Sequence, residues 1–198
     1  MNETVHPPVW AEAILRLTLR KSDRAAISGD LLEEYRTAIV PSRGERPADA
    51  WYLRQVSSYV WRSTWVWALI FGGQFVARCA YDWAVPTHDF HVRAEFSTQF
   101  GVMTMLTLAV WASWRSGLCA AAPVLTAIAG LLAAIFSVST AMLLYTLWPD
   151  PAGHLDRAIA ESGGMDEVYF LPFMMIVPAV IIGIVGGAVG SLSRRLLN

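Results

Sequence analysis

Charge is scarce in this chain: only 16% of its 198 residues are Asp, Glu, Lys or Arg, against about a quarter in an average soluble domain. The net charge of −1 gives no electrostatic case for a nucleic-acid partner or an acidic substrate. Cysteine is nearly absent as well, with 2 residues, Cys79 and Cys119. In the topology derived below they fall on opposite sides of a bilayer, about 30 Å apart, whereas a disulfide needs Cα atoms within about 7 Å. Both are read as small packing residues. The sequence also lacks a Ser/His/Asp arrangement, a phosphate loop and a CxxC pair, the sets that nucleophilic catalysis, nucleotide hydrolysis and dithiol chemistry require. No catalytic set and no cofactor motif remain, so the chain is read as non-enzymatic. Residues 1–9 are polar and contain prolines, and the helix after them carries Glu12, Arg16 and Arg20. The apolar core of a secretory signal is therefore missing, and the first hydrophobic span is expected to act as an uncleaved signal-anchor.

What is present is apolar length. The charges are unevenly spread: 9 of the 15 Lys and Arg residues and 8 of the 16 acids precede residue 63. Beyond that point lie four apolar stretches, at about 64–84, 98–114, 123–147 and 168–191. Each is close to the ~20 residues that a helix needs to cross the hydrocarbon core, and a helix satisfies its own backbone hydrogen bonds there. The expected fold is all-α, with residues 1–46 as a cytosolic helical head, 47–63 as an interfacial helix and 64–198 as a four-span transmembrane bundle in the lipid bilayer.

Positive residues mark the cytosolic side. Arg46, Arg54 and Arg62 precede span one, Arg115 lies between spans two and three, and Arg194 and Arg195 follow span four. All fall on one side if both termini are cytosolic. The second outer loop is acidic, with Asp150, Asp156, Glu161, Asp166 and Glu167 against Arg157. Aromatic residues collect at span ends: Trp61, Trp65 and Trp67, then Tyr81 and Trp83, then Trp111 and Trp114, then Tyr145 and Trp148. Each has an apolar body and a polar tip, which suits the membrane interface.

In the head, the spacing predicts a helix over 9–19 with Trp10, Ala13, Ile14 and Leu17 on its apolar face. A second helix is expected over 24–39, capped by Ser22 or Asp23, with Ile27, Leu31, Tyr35 and Ala38 inward; the pair would form an antiparallel hairpin. Gly29 costs this helix about 1 kcal/mol relative to Ala, and close approach of another backbone is the expected reason for it. Residues 41–47 read as a turn. A third helix from Ala48 presents Tyr52, Val56, Tyr59 and Val60 and runs along the inner leaflet into span one.

Pro7-Pro8 with Ala11, Leu15 and Leu19, the run Gly29-Asp30-Leu31-Leu32-Glu33-Glu34-Tyr35-Arg36, and the later Trp51-Tyr52-Leu53-Arg54-Gln55 together resemble the permease prefix domain of type 2. That domain precedes bacterial ABC-transporter permeases of the macrolide-exporter and cell-division type, and also occurs in small stand-alone membrane proteins. The resemblance covers about residues 7–65. It departs from the family at Arg20-Lys21-Ser22-Asp23, where a proline and acidic residues are common, and the chain carries no permease after the prefix. The resemblance implies a multi-pass protein of the bacterial cytoplasmic membrane. Its role would be accessory or regulatory to ABC-type transport, with permease or ATPase subunits as partners. Gly29, Asp30, Leu31, Glu33, Glu34, Tyr35, Arg36, Trp51, Tyr52 and Gln55 would then serve partner docking or head packing. Read on their own, Asp30, Glu33, Glu34 and Arg36 form a solvated helix face. Two other readings stand beside this one: a small transport or channel unit formed by oligomerisation through span four, and a membrane-tethered regulator holding a cytosolic transcription factor.

Three further constellations bear on function. His88, Asp89 and His91 could offer a metal two imidazoles and a carboxylate, but a metal centre wants three or four ligands and only the distant His154, with no motif to place it, could add to them, so a solvated loop is expected. Arg78 and Asp82, four apart, read as a boundary ion pair near the outer end of span one, where Arg can reach outward. The interiors of spans two to four have no ionisable residue, which argues against ion-coupled transport. In span four, Gly183, Gly186, Gly187 and Gly190 form overlapping Gly-x-x-x-Gly patterns that permit close helix contact, either within the chain or between copies. Pro172 and Pro178 are expected to kink its outer half.

Overall fold

The computed structural model describes residues 5–85, 90–149, 154–161 and 163–197. Its helices are α1 (Val9–Thr18), α2 (Arg24–Glu34), α3 (Val40–Arg43), α4 (Glu45–Ala84), α5 (Phe90–Ser116), α6 (Ala121–Leu147), α7 (Leu155–Glu161), α8 (Gly164–Tyr169), α9 (Leu171–Met174) and α10 (Ile176–Leu197). No strand occurs among the described residues, so the all-α expectation holds.

Two helical stretches, Ala121–Leu147 and Leu171–Leu196, are long and apolar enough to cross a membrane. Only 33% and 28% of their most apolar windows are buried, unlike the core helix of a soluble domain. The four long helices α4, α5, α6 and α10 pack side by side, α10 against α5 and α6, α4 against α6 and α5. Small residues make this contact close: Ala68, Ala129, Ala133 and Ala179 are buried between Phe71, Met105 and Leu108. The outward faces remain apolar. Leu69 and Ile70 on α4, Phe100 and Met103 on α5, Leu131 and Ile135 on α6, and Ile181, Ile184 and Val185 on α10 are all exposed.

The stretch 64–84, expected as span one, has no boundary with the helix before it. Residues 45–84 form one continuous helix, α4, of 40 residues, about 60 Å long at 1.5 Å per residue. The outer loop after α6 is not loop throughout, because α7 and α8 occupy it, and Leu155, Ile159 and Val168 pack on Phe75, Cys79 and Trp83 of α4. Pro172 and Pro178 do not kink one helix. The chain instead breaks between α8, α9 and α10, with Pro172 in the first turn of α9, where its missing N–H is not needed.

The head is built around Ala11, Leu15, Leu19, Leu31, Tyr35, Ala48, Tyr52 and Val56. Here the expected face of α1 is corrected. Ala11, Leu15 and Thr18 are the buried side, while Trp10 is 58% exposed. Helix α1 is apolar on two adjacent sides. One enters the head core, and Trp10 and Ile14 on the other line a groove with Leu53, Trp61, Ile128 and Leu132. The main neighbour of α1 is accordingly α4, with α2 a lesser one. Asp23 occupies the N-cap position of α2 but makes no side-chain cap bond, accepting instead from Ser22 Oγ at 2.6 Å.

Helix α2 passes through a π turn, Tyr35–Ile39, into α3, so the expected turn at 41–47 shrinks to Gly44. Pro41 has no N–H to continue the ladder, and the turn before it widens, with the Val40 N–H bonded to the Tyr35 carbonyl. Gly44 has φ +82°, a conformation glycine adopts without steric cost, and reverses the chain into α4. Gly29 is not explained by close approach: a Cβ there would meet nothing within 4 Å. Ala38 is exposed, since the widened turn rotates it out of the stripe.

Candidate functional site

The head residues singled out by their resemblance divide into two sets. Leu31, Tyr35 and Tyr52 are core. Tyr35 Oη donates to Asp49 Oδ1 at 2.7 Å, and its ring meets that of Tyr52 edge to face with centroids 5.8 Å apart. Burial, then the bond to Asp49 and the charges of Asp49 and Glu45, push the Tyr35 phenol up to about 12. The Tyr52 hydroxyl is buried with no hydrogen-bond partner among the described residues. Burial raises its pKa as well, with the charge of Glu12 adding to the effect. Arg36 ties the N-terminal segment down, Nε donating to the Val5 carbonyl at 3.0 Å and Nη2 lying 2.8 Å from His6 Nδ1. Trp51 and Gln55 are half-buried beside this core. The second set is Gly29, Asp30, Glu33 and Glu34, all exposed. Among the described residues none of these three carboxylates forms a salt bridge. They lie on one helix, so the head presents an acidic edge above a packed core.

A second site lies where the end of α4, the start of α5 and α8 come together. Arg78 and Asp82 are not an exposed boundary pair: their side chains are 8% and 2% exposed. Arg78 Nη2 donates to Glu167 Oε1 of α8 at 2.6 Å, and Arg93 Nε of α5 donates to Asp82 Oδ1 at 2.5 Å. Asp82 Oδ2 is buried without a hydrogen bond among the described residues, 3.9 Å from Arg78 Nε. Glu167–Arg78–Asp82–Arg93 is therefore a chain of two cations and two anions that joins three elements. Next to it is a cavity of about 70 Å³ lined by Phe71, Gln74, Arg78, Ser97, Ser137 and Glu167, where Ser97 Oγ donates to Gln74 Oε1 at 2.7 Å. Buried charges survive desolvation only when paired and hydrogen-bonded in this manner. The set clamps α8 and α5 to α4 through the Arg78–Glu167 and Arg93–Asp82 contacts.

Sequence reasoning missed Gln74, Arg93, Ser97 and Glu167. One signal was available: Gln74, Arg78 and Asp82 recur every four residues and so share a face of α4. Of the metal candidates, His88 and Asp89 lie outside the described residues, while His91 and His154 are exposed. No group of three or more His, Cys, Asp or Glu suited to a metal occurs among the described residues.

The four glycines of α10 all pack inside the chain. A Cβ on Gly183 would collide with Thr126 Oγ1 and fall 2.6 Å from Pro123 Cα, and on Gly187 it would fall 2.8 Å from the Cys119 carbonyl oxygen. On Gly186 it would fall 2.5 Å from Ala109 Cβ, and on Gly190 2.7 Å from the Val110 carbonyl oxygen. Ser113 Oγ reaches the Gly187 carbonyl at 2.9 Å across the same contact. One pair of glycines thus seats α6 and the other seats α5.

Comparison with protein-family models, with curated proteins and with solved structures found no match to this chain.

Proposed function

We propose that the protein is a non-enzymatic, four-span protein of the bacterial inner membrane with both termini cytosolic, whose head docks a subunit of an ABC-type export system. Four spans are supported by the apolar outward faces on α4, α5, α6 and α10, since soluble monomers rarely expose patches of that extent. Helix α5 has 27 residues, about 40 Å, and its charged residues lie near its two ends, Arg93 and Glu95 at one and Arg115 at the other. The docking role is carried by one observation: Asp30, Glu33 and Glu34 form an exposed acidic edge with no salt bridge among the described residues, on a head whose core is made largely by residues of the prefix resemblance. Such an edge suits a basic partner surface. The test is capture of the tagged protein from native membranes in mild detergent, with mass spectrometry. A permease or ATPase subunit is expected in stoichiometric amount from the unmodified chain and in several-fold lower amount from D30A/E34A, at equal membrane insertion. Unchanged capture by the variant sinks the docking role.

A second reading, a small transport unit, draws on the buried charge chain and its cavity, because ionisable groups at membrane depth mark transport paths. Solute or ion flux in liposomes containing this protein alone, abolished in R78Q, is its test. The glycine face of α10 gives this reading no oligomer contact, because it is used within the chain.

A further inference from the structure

Five cationic side chains converge where the head meets the long helices: Arg16 on α1, Lys21 between α1 and α2, Arg24 on α2, Arg115 at the end of α5 and Arg194 near the end of α10. The backbone N–H of Lys21 donates to the Arg115 carbonyl at 3.3 Å. Arg24 spans the junction, Nε to the Arg16 carbonyl at 2.9 Å and Nη2 to the Ser116 carbonyl at 2.7 Å. Arg194 Nη1 donates to the Trp114 carbonyl at 2.9 Å, and its guanidinium shares the space beside Gly117 with Lys21 Cδ.

Arg24 and Arg194 thus donate to backbone carbonyls, and the Arg115 guanidinium lies over the Trp111 ring, 4.8 Å from its centroid. Of the five, Arg16 alone makes a salt bridge among the described residues, with Glu12 at 2.6 Å. Arg24 is held below its ordinary value by burial first and then by the charges of Arg16 and Arg194, while at Arg115 the charge of Arg20 opposes that of Asp23. Beside them is an open groove of about 420 Å³, lined by Glu12, Arg16, Lys21, Arg24, Ser28 and Gly29. No neighbour lies within 4 Å of where a Gly29 side chain would begin. The bare helix surface that a glycine leaves at this position widens the groove.

We propose that this groove binds the phosphate headgroup of an anionic phospholipid in the leaflet next to the head. The inference rests on the four-span reading above. The occupant follows from charge and level. Lys21 and Arg24 bond to the end of α5 through the Arg115 and Ser116 carbonyls, close to Trp114, which is 56% exposed and so suits the interface. At that depth a bilayer presents phosphates, and each basic residue near an anionic surface strengthens binding roughly fivefold. The lipid would complete the junction between head and spans, held by Lys21 and Arg24 of the groove, with Arg194 adding its charge beside Lys21 at Gly117.

Lys21 is the chain's single lysine, which gives a site-specific readout. The full-length protein in neutral detergent is titrated with phosphatidylglycerol or with phosphatidylcholine of the same acyl chains. Amine acylation at Lys21 is followed by peptide mass spectrometry, and thermal unfolding is measured alongside. Phosphatidylglycerol is expected to slow Lys21 acylation at least about fivefold and to raise Tm, and phosphatidylcholine to do neither. K21Q/R194Q should lose the phosphatidylglycerol shift, while R43Q, a charge change on α3 outside the groove, should keep it. Equal protection by phosphatidylcholine, or a full shift in K21Q/R194Q, overturns the proposal. Equal protection by inorganic phosphate alone overturns the lipid assignment in favour of a free-anion site. If the double variant does not fold, Lys21 protection in the unmodified chain decides. Orientation is read separately at Cys119, which is exposed and free. Its labelling from outside intact spheroplasts by an impermeant maleimide would refute the topology and leave the detergent result standing.

Discussion

Tyr35 and Tyr52 stand against each other in the head core, yet their hydroxyls have opposite circumstances, and the same substitution should separate them. Tyr35→Phe removes the bond to Asp49 and is expected to cost about 1.5–3 kcal/mol, as for hydrogen bonds to charged groups. Tyr52→Phe removes a buried hydroxyl without a partner, and should leave Tm unchanged or raise it. Thermal unfolding of both variants in detergent checks the pair. The Tyr35 phenol also predicts a pH dependence. Its ordinary value of 10.0 rises to about 12 in the folded chain, through burial first and the Asp49 bond second. The folded chain thus keeps a proton that the unfolded chain has lost, and stability present below pH 10 falls as pH rises from 10 to about 12. In Tyr35→Phe that part of the fall should vanish. In the charge chain, Arg78→Gln leaves the half-buried Glu167 and the buried Asp82 without their shared cation, and a loss of about 3–5 kcal/mol is expected. A double-mutant cycle with Glu167→Gln should show strong non-additivity; additive losses would mean that the 2.6 Å contact carries no coupling.

Among the elements, α10 and α2 use glycine in opposite ways. Gly183→Ala and Gly186→Ala would drive a methyl into Pro123 and Thr126, or into Ala109 and Leu106, and are expected to cost about 1–3 kcal/mol by overpacking. Gly29→Ala meets open space and should raise Tm, by up to about 1 kcal/mol in helix propensity. Unfolding midpoints of the three variants, ranked the other way, would refute the packing described. The glycine spacing of α10 was legible in the sequence, because positions four apart share a helix face. Which neighbours the two pairs meet was not, because that depends on how α5 and α6 are placed around α10. The same limit explains the charge chain. Arg78 and Asp82 could be paired from their spacing, but Glu167 is 89 residues away and joins only through the folding of α8 onto α4. The stripe of α1 was misplaced by one position because both of its adjacent sides are apolar, and periodicity alone cannot choose between them. The all-helical class and the core role of Leu31, Tyr35 and Tyr52 agree with their spacing. The π turn came from Pro41, a residue read as part of a loop.

For the molecule as a whole, the four-span reading predicts that a periplasmic reporter fused after Asn198 is inactive and a cytosolic one active; the reverse would refute both termini being cytosolic. One feature of the fold then acquires a mechanical meaning. Helix α4 runs unbroken from Glu45 to Ala84, so the head core at Tyr52 and the charge chain at Asp82 are two points on one stiff rod, about 45 Å apart. Such a rod works as a lever. A partner that tilts the head by ~5° would sweep the far end of α4 through about 4 Å at this rise per residue, more than the length of the Arg78–Glu167 bond. With no joint to absorb the movement, docking on one side of the membrane would be felt as leverage on the other, and the ion pairs at Asp82 are where that force would be spent or held.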